Sequence, residues 1–292
     1  MPKKIHTIGY ASGIAAREHS SEDGPSVIQR SPLNEFLTEN KLILQWEDVI
    51  TGDHSSNHVP TIAALCTQLA EKTKNIITTT GKPFLIMGGD HSSAIGTWSG
   101  AATALQARGT TGLIWIDAHM DSHTPETTES GNIHGMPLAA LMGYGDSRLT
   151  QIISTHPKLQ PESVVLIGVR SFEKGEAALL KRLNIRIFDM PEIHARGMTA
   201  VMQEAVEIVS KNTVGYGISI DIDSIDPTEA PGTGAKEPDG IAAQDLCTAL
   251  QKIQPATDKR FIGAEIAEFD PHQDKNQKTE KIVFDLIKAI FG

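Results

Sequence analysis

The sequence predicts an α/β fold: three layers, α/β/α, around a mainly parallel central sheet. Short apolar, β-branched runs recur along the 292 residues. Several of these runs are apolar at nearly every position, the pattern of strands buried on both faces. Amphipathic stretches of helical spacing lie between them, and alternating strand and helix builds a parallel sheet because each parallel neighbour is reached through a crossover.

The candidate strands run in order from Leu42–Val49 (LILQWEDV), the most polar of the set, to Phe261–Phe269 (FIGAEIAEF). Between these lie Pro83–Asp90 (PFLIMGGD), an apolar core ending in acid, and Gly112–His119 (GLIWIDAH), one ending in acid and histidine. Ser163–Arg170 (SVVLIGVR), Ile185–Met190 (IRIFDM) and Tyr216–Asp223 (YGISIDID) complete the set. The stretch VPTIAALCTQLAEKTKNI carries Pro60 near its start, where the missing N–H leaves no helical bond unmade. GEAALLKRL, TAVMQEAVEIV, AAQDLCTALQKI and the closing TEKIVFDLIKAIF have the same helical spacing. The Gly/Pro-rich segment 227–240 follows a strand and reads as a loop. With no repeat, low-complexity tract or linker, residues 1–292 are expected to form one domain.

A chain of this length can bury roughly 75% of its unfolded surface. Apolar residues at 39% and charged residues at 21% are ordinary for a soluble globular protein. No apolar run approaches the ~20 residues of a membrane span, and MPKKIHTIGY lacks the apolar core of a secretory signal, so no membrane partner is expected. Cys66 and Cys247 sit in apolar helical patterns, which points to free buried thiols and a cytoplasmic setting. The net charge of -10 without a basic cluster argues against nucleic acid and suits cationic ligands.

Alternate residues of an extended chain project to one side. DAHMD thereby groups Asp117, His119 and Asp121; SIDIDSID groups Asp221 and Asp223, with Asp226 beyond; GGDH adds Asp90 and His91. All follow apolar strands, and the carboxyl ends of parallel strands are where open α/β sheets bind ligands. Carboxylates converging there would repel one another unless cations intervened. His91, Asp117, His119, Asp121, Asp221 and Asp223 together bring four negative charges and two neutral imidazoles, which two divalent ions balance. That donor set suits Mn²⁺, with Co²⁺, Ni²⁺ or Fe²⁺ as rivals. Zinc is less favoured, since neither cysteine lies near the constellation. A metal pair of this kind ionises water and performs hydrolysis.

GGDHS, DAHMD, SGNIHGMPL and SIDIDSIDP, with the C-terminal EIAEFDP, resemble in order and spacing the signature segments of the ureohydrolase family, which comprises arginases, agmatinases, guanidino-acid hydrolases and formiminoglutamases. The resemblance covers the chain from about residue 80 onward and, through TPETTESGNIHGMPL, is strongest to the arginases. It implies an arginase-like fold, two Mn²⁺ per chain, and hydrolysis of L-arginine to L-ornithine and urea. It assigns His91, Asp117, Asp121 and Asp223 to one ion and Asp117, His119, Asp221 and Asp223 to the other. Asp121 would pass a proton to the departing amine, His134 would shuttle protons at the cleft mouth, and Glu268 would hold the guanidinium. Ser130 and Asn132 match positions that contact the substrate α-carboxylate, a group that agmatine lacks. A homo-oligomer, trimer or hexamer, is also implied.

Some positions depart from the arginase pattern. His123 stands where asparagine is usual, Glu173 in SFEKGE replaces an aspartate near the α-amino group, and Ala235 replaces a threonine near the guanidinium. Lys236, Glu237 and Asp239 add charge to a mostly apolar loop. These changes leave the expected ligands intact and bear on the substrate. Another ureohydrolase activity is therefore the leading alternative, ahead of a non-catalytic relative, a metallophosphoesterase or a one-zinc deacetylase.

Overall fold

The protein is described by a computed structural model covering residues 2–52 and 58–292. Eight strands form one sheet: β1 (Lys3–Ala11), β2 (Leu42–Thr51), β3 (Phe84–Gly88), β4 (Thr111–Ile116), β5 (Leu159–Val169), β6 (Arg186–Asp189), β7 (Gly215–Asp221) and β8 (Phe261–Ala267). Their order is β2-β1-β3-β8-β7-β4-β5-β6. Every neighbouring pair is parallel.

Side chains alternate across the sheet and build a separate core on each face. Leu85, Met87, Ile114, Ile116, Val165 and Ile167 pack beneath the helices Met198–Val209, Ala243–Ile253 and Lys278–Phe291. Phe84, Ile86, Leu113, Trp115, Val164 and Leu166 face the helices His58–Thr80, Ser93–Leu105 and Lys174–Arg182 on the other side. The near-continuous apolarity of the central strands is thus two interleaved faces, each covered.

All seven expected strands are present with boundaries adjusted by a few residues, and β5 begins earlier, at Leu159. The eighth, β1, was not expected. Its sequence, KKIHTIGYA, mixes lysine, histidine and glycine with only intermittent aliphatics, yet Ile5 and every residue from Thr7 to Ala11 are buried between β2 and β3. The helix Ser93–Leu105 was also not anticipated. Its sequence, SAIGTWSGAATAL, is small and weakly patterned because almost the whole helix is buried. Gly100 lies so close to the helix His58–Thr80 that a Cβ there would sit 2.3 Å from the Ala70 carbonyl oxygen. Among the described residues, no helix is long and apolar enough to cross a membrane. Cys66 and Cys247 are buried free thiols, as expected.

Candidate metal centre and substrate cavity

Five adjacent strands in the order β3-β8-β7-β4-β5 deliver the candidate residues from their carboxyl ends. His91 follows β3, Glu268 follows β8, and Asp221 closes β7 with Asp223 on the turn beyond. Asp117, His119, Asp121 and His123 follow β4, and Glu173 follows β5. Gly89 makes the first of these approaches feasible: its N–H donates to the Tyr10 carbonyl at 2.7 Å, and a Cβ there would lie 2.2 Å from the Ser12 carbonyl oxygen. Asp121 and Glu268 both hold left-handed backbone, with φ of 46° and 64°. Such conformations disfavour ordinary side chains and are held only by surrounding structure.

The six expected ligands meet in two linked groups. His91 Nδ1 lies 3.3 Å from Asp117 Oδ2, 3.2 Å from Asp121 Oδ2 and 3.0 Å from Asp221 Oδ2. His119 Nδ1 lies 3.5 Å from Asp117 Oδ1 and 3.0 Å from Asp223 Oδ2. Asp117 thus turns one carboxylate oxygen to each group, the disposition of a bridging ligand. The grouping corrects one expectation: Asp221, not Asp223, stands with His91 and Asp121, while Asp223 stands with His119. The cause is local, because Asp221 ends the straight strand whereas Asp223 is carried around a 3-10 turn toward the residues after β4. These ligands make two of the three groups among the described residues able to hold a cation, His91/Asp117/Asp221 and Asp117/His119/Asp223; the third is His123/Glu173/Glu176.

The electrostatics of these side chains fit a pair of cations. Burial pushes the Asp121 carboxyl up to about 6, with the Asp117 charge adding to the effect. Burial, then Asp223 and Asp117, drives Asp221 well above the ordinary carboxylate range, and burial also raises Asp223. Burial opposes the ionisation of Asp117 too, but the flanking imidazoles hold its pKa low. Carboxylates this crowded resist simultaneous ionisation until positive charge is supplied. His91 Nδ1 is buried without a hydrogen-bond partner despite its three carboxylate neighbours. An orphaned nitrogen among carboxylate oxygens is the geometry of a coordination sphere.

Above this floor opens a cavity of about 420 Å³, whose walls include Ser130, Asn132, His134, Ala235 and Glu268 as well as His123, Glu173 and Glu176. His134 Nδ1 lies 3.0 Å from Glu268 Oε1, which also accepts a 2.8 Å hydrogen bond from the His91 backbone N–H. Burial opposes protonation of His134, yet the Glu268 pairing lifts its pKa to about 9. Also in the lining, His123 Nε2 is 2.7 Å from Glu173 Oε2 and 3.6 Å from Glu176 Oε1. The Asn132 backbone N–H donates to Ser130 Oγ at 3.2 Å. Glu176 was missed from the sequence. It is buried, its pKa is pushed by burial to about 8, and it accepts N–H bonds from Ser122 and Glu173. The available signal was the E-x-x-E spacing of Glu173 and Glu176, a capping box at the start of the helix Lys174–Arg182.

Asp226 serves its own loop, accepting from Thr228 and from the Gly240 N–H, and Asp90 accepts from the Ala15 N–H and Ser92, tying the N-terminal segment beneath the site. The charged loop reaches the centre through Glu237, whose Oε1 lies 3.7 Å from His119 Nε2.

The model of the Arginase family matches residues 3–292. The chain belongs to the arginase family. An arginase of Bacillus caldovelox is 39% identical over 302 residues, covering 99% of this chain and 98% of its own. The crystal structure of arginase from Bacillus subtilis superposes with a TM-score of 0.90 at 34% identity, covering 99% of each chain. That of Entamoeba histolytica arginase in complex with L-ornithine gives a TM-score of 0.89 at 26% identity, covering 100% of this chain and 99% of that one. Arginase-family membership makes the chain a hydrolase of a family built on a binuclear metal site, and the two groups sharing Asp117 are the candidates for that site here.

Proposed function

We propose that this arginase-family chain hydrolyses L-arginine to L-ornithine and urea with two Mn²⁺ ions, held by His91, Asp117, His119, Asp121, Asp221 and Asp223. The observation that carries the reading is the pair of imidazole–carboxylate groups, joined through Asp117, in the floor of an acidic cavity. Two bound divalent cations supply ionised water near neutral pH.

The remaining chemistry belongs to the chain. Glu268 presents a carboxylate, the natural partner of a planar guanidinium because two parallel hydrogen bonds can form. In the free cavity one oxygen of Glu268 is engaged by His134, so a guanidinium entering there displaces the ring and leaves its Nδ1 proton for transfer. Asp121 also lines the cavity, where its carboxylate can carry a proton from water to the departing amine. Ser130 and Asn132 offer polar groups to an α-carboxylate, and Glu173 with Glu176 offers negative charge to an α-ammonium.

A second reading, hydrolysis of a different guanidino compound, is favoured by the His123–Glu173 pair, which engages the carboxylate that an α-ammonium would need. One experiment separates the two. The manganese-loaded protein should hold two ions per chain and release urea from L-arginine at least about 100-fold more efficiently than from agmatine. Faster release from agmatine or a guanidino acid overturns the substrate assignment. Fewer than two ions with no hydrolysis of any guanidino compound overturns the enzymatic reading.

A further inference from the structure

Glu265 lies within β8, fully buried, and is not among the expected ligands. Its Oε1 accepts from Ser93 Oγ at 2.7 Å and Thr97 Oγ1 at 2.8 Å; its Oε2 accepts from Trp98 Nε1 at 3.1 Å and Ser219 Oγ at 2.9 Å. All four donors are neutral. A buried carboxylate satisfied by neutral groups alone is costly compared with an apolar residue of similar volume, so its presence calls for a use.

Proton inventory supplies one. Ser219 sits opposite Glu265 on the neighbouring β7, and its Oγ is 3.0 Å from His91 Nε2. A carboxylate only accepts, and a hydroxyl has a single proton. The Ser219 proton is therefore committed to Glu265, and only oxygen lone pairs remain to face His91. In the neutral ring, Nε2 must then carry the hydrogen, which leaves the lone pair on Nδ1. That is the buried, unpartnered nitrogen aimed at Asp117, Asp121 and Asp221. The ring plane is fixed independently: His91 stacks on Trp115 with centroids 4.1 Å apart and planes inclined by 17°, and the Trp115 indole donates to Asp117 Oδ2 at 2.8 Å.

We propose that Glu265 is a positioning residue for the metal centre, acting through Ser219 to fix His91 as the tautomer whose Nδ1 lone pair faces a divalent cation. The proposal rests on the binuclear reading above. An acceptor is needed at Oε2, where Trp98 Nε1 and Ser219 Oγ both donate; an apolar residue in place of Glu265 would free the Ser219 proton to turn toward His91 Nε2 and favour hydrogen on the wrong nitrogen.

The test is titration of the metal-free protein with Mn²⁺ by calorimetry, with electron paramagnetic resonance to separate coupled from isolated ions. Ser219→Ala should weaken one of the two ions by about 10–100-fold, the range typical of outer-shell partners, and leave the other ion and the melting temperature of the metal-free protein near wild type. Glu265→Leu, which removes the acceptor, should weaken the same ion and cause no further loss when added to Ser219→Ala. Wild-type affinity for both ions in either folded single variant, or additive losses in the double variant, overturns the proposal. Should the variants fold poorly, nitrogen NMR of the cadmium-loaded wild type decides: His91 must show hydrogen on Nε2, and hydrogen on Nδ1 overturns the assignment. A wild-type protein that binds fewer than two ions fails the binuclear reading itself, an outcome distinct from unaltered binding in the variants.

Discussion

At the scale of single residues, Asp117 and Glu268 are both buried carboxylates with opposite expected roles. Asp117 faces both imidazoles, so Asp117→Asn should remove metal and activity together, with activity falling at least about 100-fold and fewer than two ions recovered after manganese loading. Full metal content in that variant would refute the bridging role. Glu268→Ala should instead retain both ions while losing substrate turnover by a similar factor, because its carboxylate faces the cavity and His134. The His134–Glu268 pair also makes a pH prediction. Since His134 is raised to about 9, above the ~6.5 of an unpaired ring, its contribution to stability is complete below about pH 6.5 and is lost as pH rises through about 9. In chelator-treated protein, unfolding free energy measured across that interval should fall more steeply for wild type than for His134→Asn; parallel curves would show that the pair contributes nothing. The sequence made the six ligand candidates legible because each follows an apolar strand. It could not divide Asp221 from Asp223, because that division depends on where a turn begins. Glu265 was hidden for a different reason: a lone acid inside an apolar strand has no spacing to mark it.

At the scale of elements, the central strands announced themselves through unbroken apolar runs, whereas β1 and the helix Ser93–Leu105 did not. β1 is buried but assembled from residues that look polar or small, and the helix has few large apolar residues because a neighbouring backbone occupies the space. Gly100 tests that account. A leucine there would drive its Cβ toward the Ala70 carbonyl, and Gly100→Leu should cost about 3 kcal/mol or more in urea unfolding, at or above the usual range for overpacking. A loss below 1 kcal/mol would mean that the two helices separate easily.

At the scale of the whole molecule, the acidic strand ends crowd carboxylates whose mutual repulsion bound cations would relieve. Metal that binds only the folded chain stabilises it by about 2.7 kcal/mol per site at a hundredfold excess over Kd. Scanning calorimetry should therefore show a melting temperature several degrees higher with Mn²⁺ than with chelator, and an unchanged temperature would mean that the folded centre holds no ion. The strand order carries a further consequence. β8, the last of the eight strands in the sequence, is seated between β3 and β7. While the chain is still being made on the ribosome, before residue 267 emerges, the sheet can exist only as two separate rafts, β2-β1-β3 and β7-β4-β5-β6, each with an inner edge open to wrong partners. The nascent protein is thus exposed to aggregation until its final strand closes the gap and, in the same event, brings Glu265 and Glu268 to the centre.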